Sequence, residues 1–252
     1  MRELDKVLDN MKKGIEYPFL LEFLDEPSKR IRSRLAILYL KTAEKELNDE
    51  IYNILTAGEL IHNASLLHDD IIDEAESRRG KTTIGVKISP KISILAGDYL
   101  IAQAMSKILE INNPDILNIF KNCTKTMCEA EFQQYFQRGQ IPSKEDYISI
   151  CRGKTGALFA AILESCALLA GMDSSAARIL GENYGIYFQI KNDLDAVSAE
   201  EDKKNGIYTA NSVLGIEKTL YLLDNLKEEM SNLLGVFPES IYKQELEGLF
   251  AL

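Results

Sequence analysis

At 252 residues, with 46% hydrophobic and 27% charged side chains, the chain can bury one large core and has none of the composition of a disordered protein. Its formal net charge of −10 argues against nucleic-acid binding, which needs clustered Lys and Arg to displace counterions from phosphates. Four cysteines, Cys123, Cys128, Cys151 and Cys166, form no CxxC pair, so unpaired structural thiols in a reducing cytosol are expected in place of a secreted disulfide framework.

Apolar residues recur at three- and four-residue spacing, which predicts helices over 2–13, 29–46, 49–74, 91–111, 113–138, 143–171, 173–196 and 213–233; strand-like alternation is rare. Residues 1–13 mix charges with Leu and Val and lack the apolar stretch of a signal peptide. No run approaches the roughly 20 apolar residues that cross a bilayer, so no transmembrane segment is expected. Asn113-Pro114-Asp115, Pro142-Ser143 and Gly171-Met172-Asp173 mark turns and helix starts. With no internal repeat and no linker, one all-α helical bundle over 1–252 is the simplest architecture.

The segment richest in chemistry is His68-Asp69-Asp70-Ile71-Ile72-Asp73-Glu74. Asp69 and Asp73 are four apart and share one helical face, where two carboxylates repel each other unless a cation lies between them. A hard dication such as magnesium takes one or two carboxylates and completes its shell with water or phosphate oxygens. Ser77-Arg78-Arg79-Gly80-Lys81-Thr82 follows at once, and the planar fork of Arg suits diphosphate. Lys29-Arg30-Ile31-Arg32 opens the 29–46 helix with Lys29 and Arg32 on one face, and His62 lies two turns before Asp69 on the same side.

Asp69-Asp70-Ile71-Ile72-Asp73 resembles the first aspartate-rich motif, DDxxD, of the trans-isoprenyl diphosphate synthases. Further patterns agree in order: Ser28-Lys29-Arg30-Ile31-Arg32 with GKRxR, Glu59 and His62 with ExxH, Arg78-Arg79-Gly80 with RRG, and Gly97-Asp98 with GD. Glu131 and Gln134 are similar to GExxQ, Lys154-Thr155 to KT, and Phe188-Gln189 with Asn192-Asp193 to FQxxDD, so the likeness runs from about residue 28 to 209. It implies an isoprenoid-synthase bundle around a central prenyl-diphosphate cavity, with shortened C-terminal helices. By that resemblance Lys29, Arg32, His62 and Arg79 bind isopentenyl diphosphate, while Arg78, Lys154 and Gln189 hold an allylic diphosphate. Asp69 and Asp73 ligate its Mg2+, with Asp70 in the same catalytic cluster; Thr155 shields a carbocation and Asp98 orients basic side chains. A homodimer is the family expectation, with a heterodimer as the variant.

The residues four and five before the first Asp, Ser65 and Ala64, line the floor of the prenyl pocket in this family, and both are small, which implies a product of geranylgeranyl length or longer. The second motif departs from the pattern, because Asn192-Asp193-Leu194-Asp195-Ala196 carries Asn and Ala where the family has its first and last Asp. Asn192 and Asp193 remain candidate ligands, with Asp195, Glu200, Glu201 and Asp202 near in sequence, and Ile207 replaces the Lys of a later GK pattern. Two alternatives follow from these losses. One is a regulatory or non-catalytic subunit of a heteromeric synthase. The other is a terpene-synthase-like or atypical prenyl-transfer enzyme, since Asn192 and Glu200 stand eight apart as in a terpene-synthase metal motif.

Overall fold

The computed structural model describes residues 2–78, 80–195 and 205–250. The structure there is helical apart from one small antiparallel hairpin, Ser77–Arg78 (β1) against Lys81–Thr82 (β2). The chain divides into two compact units, Met1–Ile37 with Leu47–Pro114, and Leu38–Glu46 with Asp115–Leu252.

The first unit holds α1 (Arg2–Lys12), α2 (Pro18–Leu24), the start of α3 (Ile31–Thr42), α4 (Asp49–Ile72), α5 (Ile84–Lys87) and α6 (Pro90–Glu110). Its axis is α4. Asn48 opens that helix, its side chain accepting from the Ile51 N–H at 2.9 Å, and Asp49 and Glu50 favour the positive end of the helix dipole. The other end closes with a reverse turn in which Glu74 takes φ +51° and the Ala75 N–H bonds back to Asp70 O at 2.9 Å. That left-handed place usually goes to Gly and costs a non-Gly residue about 1–3 kcal/mol.

Helix α6 packs along α4, with Ser93 Oγ donating to Leu67 O at 3.0 Å. A Cβ on Gly97 would stand 2.2 Å from His68 Nε2, so only Gly admits the imidazole there. By length and composition α6 is apolar enough to cross a bilayer, with 33% of its most apolar window buried. Its outer stripe leaves Ile94, Leu95 and Leu109 exposed.

The second unit contains α7 (Pro114–Phe136), α8 (Lys144–Cys151), a π turn (Arg152–Gly156), α9 (Ala157–Leu169), α10 (Ser174–Asp193), α11 (Ala210–Leu214), α12 (Ile216–Leu234) and α13 (Ile241–Gly248). The predicted single helix over 143–171 is thus interrupted, because the π turn inserts one extra residue into the ladder. Gly153 permits the bulge: a Cβ there would lie 2.5 Å from the Ala130 Cβ of α7. Helices α9 and α10 meet nearly backbone to backbone, since a Cβ on Gly185 would come within 2.5 Å of Gly156 Cα, and one on Gly181 within 2.6 Å of Phe159 O. Cys123, Cys151 and Cys166 are buried and unpaired, while Cys128 is exposed. Burial pushes the Cys151 thiol up to about 12.

Replacing Gly185 by Ala should cost about 1–3 kcal/mol of stability, because the added methyl meets backbone that cannot rotate away. Chemical denaturation of Gly185→Ala against the parent chain measures this. An unchanged midpoint would mean that the two helices separate freely.

Candidate active site

In the first unit, burial varies around the last turns of α4. Positions 61, 64, 67 and 70 are buried, whereas 62, 65, 66, 69 and 73, which run down one side, are half-buried, as are 63, 68, 71 and 72. His62, Ser65, Asp69 and Asp73 therefore share a face, as expected. Ala64 does not; it is fully enclosed on the opposite, core-facing side. Ala64, expected with Ser65 at the floor of the prenyl pocket, thus lies among buried residues, and Ser65 Oγ donates to His62 O at 2.8 Å.

Asp73 caps α4, and its N–H donates to Asp69 O at 2.8 Å. Both carboxylates stand at the negative end of the helix dipole, which disfavours them as much as their mutual repulsion does. A dication at that point relieves both penalties. Among the described residues no group of three or more His, Cys, Asp or Glu is assembled as a cage. Two hard oxygen donors with open positions fit magnesium, which keeps several waters or phosphate oxygens in its shell.

Asp70 plays a different part from its neighbours. It is buried, and its Oδ1 accepts from Arg78 Nε at 2.7 Å. The hairpin that carries Arg78 is tied to α4 by Thr83, whose Oγ1 donates to Ala75 O at 2.8 Å. Arg79 lies outside the described residues. His68 Nε2 is 3.3 Å from Asp98 Oδ1 and 3.3 Å from Ile94 O, so Asp98 stands beside a histidine.

The basic cluster is arranged differently from the prediction. Helix α3 begins at Ile31, and Arg30 turns the chain at φ +41°, so Lys29 precedes the helix and shares no helical face with Arg32. Lys29 is exposed and Arg32 is buried. Arg30 instead joins His62 and Arg78 around a small depression with Ser28, Glu26 and Glu59. Glu59 is itself buried and fastens the first turn of α3 to α4, its Oε1 accepting from Ser33 N at 3.1 Å and Ser33 Oγ at 2.7 Å. Sequence reasoning quoted Arg30 and Glu59 without giving either a role; the left-handed turn has no sequence signature, since Gly is absent.

In the second unit, the π turn presents Lys154 and Thr155. Lys154 Nζ pairs with Glu131 Oε2 of α7 at 2.5 Å, a partner that its place in a quoted motif could have suggested. Thr155 Oγ1 donates to Gln189 Oε1 at 3.0 Å, and Gln189 Nε2 donates to Asp193 Oδ1 at 2.9 Å. Asp193 Oδ2 accepts from Tyr147 OH at 2.6 Å and from the Ala210 N–H at 2.8 Å. Burial pushes the Asp193 carboxyl up from the usual range, and the bonds from Tyr147, Ala210 and Gln189 pull it back.

Both oxygens of Asp193, expected as a candidate metal ligand, thus accept from protein donors. Asn192 is exposed in the last turn of α10, and Asp195 is exposed beyond it. Ala196, Glu200, Glu201 and Asp202 lie outside the described residues.

The family model for polyprenyl synthetase matches residues 17–219. The chain belongs to the polyprenyl synthetase family. It is 35% identical over 175 residues to a decaprenyl-diphosphate synthase of Dictyostelium discoideum, a match covering 68% of this chain and 38% of that protein. It is also 30% identical over 258 residues to heptaprenyl diphosphate synthase component 2 of Bacillus subtilis, covering 98% of this chain and 72% of that protein. The chain spans less than two thirds of the length of most of the curated relatives it matches. The crystal structure of a polyprenyl synthase from Caulobacter crescentus, complexed with calcium and isoprenyl diphosphate, aligns at TM-score 0.85 and 25% identity over 99% of this chain and 92% of that one. The all-helical fold is thus that of the isoprenoid synthases.

Exchanging Asp70 for Asn keeps the shape but removes the charge that holds Arg78. If Arg78 must be held to act, kcat/KM should fall about ten- to a hundredfold, the usual result of a small misplacement. Steady-state kinetics with a denaturation control tests this, and full activity in Asp70→Asn would leave the pair without a role in turnover.

Proposed function

We propose that the chain is a magnesium-dependent trans-prenyltransferase, acting as one prenyltransferase-like domain, that condenses isopentenyl diphosphate with an allylic diphosphate to give a polyprenyl diphosphate. The observation that carries this reading is the end of α4, where Asp69 and Asp73 share a face and the buried Asp70 holds Arg78 beside them. The family match, whose residues run through both units, supports the single-domain reading.

In this reading Asp69 and Asp73 hold Mg2+, which neutralises charge growing on the departing diphosphate. Arg78, Lys154 and Gln189 bind and orient the allylic diphosphate, with Glu131 holding the Lys154 ammonium. His62, Lys29, Arg32 and Arg79 bind isopentenyl diphosphate, to which the depression around His62 adds Arg30. The allylic C–O bond breaks, the new C–C bond forms, and the leaving diphosphate takes the proton, so no side-chain base is needed. Relatives named for decaprenyl and heptaprenyl products support a product of geranylgeranyl length or longer.

A homodimer is proposed from the exposed apolar stripe of α6, which includes Ile94, Leu95 and Leu109. The relative named as a component 2 favours a second reading, in which the chain works with a different partner chain.

Purified chain with excess Mg2+, isopentenyl diphosphate and an allylic starter should release diphosphate and yield a polyprenyl diphosphate by mass analysis. Activity that appears only on mixing with a second chain would select the heteromeric reading, and a hydrocarbon product would point to cyclisation. Ser65→Phe should shorten the product, since the ring enters the face shared with Asp69. Ala64→Phe should instead destabilise the fold by about 1–3 kcal/mol through overpacking.

A further inference from the structure

We propose that Tyr147 and Asp193 are positioning residues that set the direction of a hydrogen-bond chain ending at Thr155, so that Thr155 meets the substrate with oxygen lone pairs and not with its proton. This rests on the prenyl-transfer reading above.

The direction follows from which atoms can donate. The Ala210 N–H and the Tyr147 hydroxyl both donate to Asp193 Oδ2, which marks the carboxylate as an acceptor. The Gln189 amide turns its NH2 toward Asp193 Oδ1, at 2.9 Å, so that all three donors around the carboxyl group point at it. Its carbonyl oxygen then faces Thr155. A carbonyl only accepts, so the Thr155 hydroxyl must give its single proton to Gln189 Oε1, at 3.0 Å. What Thr155 retains for a ligand is the pair of lone pairs on Oγ1.

An oxygen with its proton turned away presents negative partial charge, which favours a developing allylic cation; the reversed orientation presents a proton and opposes it. Tyr147 and Asp193 touch neither Thr155 nor the substrate in this scheme. They act through Gln189. Asp193 is buried and Thr155 nearly so, and a chain in such surroundings keeps its direction because water does not compete for its links. The aspartate kept in the altered second motif thereby has a use that needs no metal.

The experiment is a double-mutant cycle on the purified chain. Tyr147→Phe removes one of the two bonds that fix Asp193 Oδ2, so the carboxylate no longer stays squarely opposite the Gln189 amide, and Asp193→Asn lets the amides of residues 193 and 189 flip together. Each should lower kcat up to about tenfold, the worth of one well-made hydrogen bond, with KM for both substrates and the Mg2+ concentration for half-activity unchanged. In a Thr155→Val background, which has no hydroxyl to orient, neither change should cost anything further.

Losses that add in that background, or an undiminished kcat in Tyr147→Phe, would overturn the proposal. So would a several-fold rise in the Mg2+ requirement of Asp193→Asn, which would make Asp193 a metal ligand. Should Asp193→Asn fail to fold, the Tyr147→Phe arm decides alone. A parent chain that releases no diphosphate overturns the prenyl-transfer reading itself, and that is seen before any variant is made.

Discussion

Carboxylates at the C-terminal end of a helix oppose both the helix dipole and one another, and α4 ends in three aspartates within five residues. The structure around them answers this electrostatic problem. Asp70 turns inward and is neutralised by Arg78, which draws the β1–β2 hairpin onto the helix. Asp69 and Asp73 stay half-buried on the side of His62. The left-handed Glu74 ends the helix at that point and directs the chain into the hairpin. In the proposed reading, an arrangement that would be unstable in isolation gains from a bound dication, because binding removes the repulsion.

The second unit works by enclosure instead of exposed charge. Its polar chain from Tyr147 through Asp193 and Gln189 to Thr155 matches donors to acceptors, as buried polar groups require. Lys154, alongside, carries its own counter-charge in Glu131. A cation held by a carboxylate neighbour keeps its position before an anionic ligand arrives, which lowers the ordering cost of binding.

Much of this was legible in the residues alone. The four-residue spacing of Asp69 and Asp73 on a periodic apolar helix predicted a shared face, and the arginines just past it predicted a diphosphate partner. Periodicity failed where the backbone departs from regular geometry. The π turn at 152–156 shifts the register by one residue inside an unbroken apolar pattern, and the left-handed Arg30 delays α3 although no Gly or Pro stands at that position. The enclosure of Ala64 was not legible because smallness fits a core as well as a pocket floor. Nor were the donors of Asp193, since Tyr147 and Ala210 lie 46 and 17 residues away and a motif contains no record of what folds over it.

The near-contact of Gly156 with Gly185 bears on how such a chain can vary. Where two helices touch through side chains, each exchange of a packing residue moves the axes by fractions of an ångström. Here the spacing between the π turn and α10 is set by main-chain atoms, which do not change with the surrounding residues. The hydroxyl of Thr155 and the amide of Gln189, carried on these two elements, therefore keep their spacing when the apolar residues around them are exchanged.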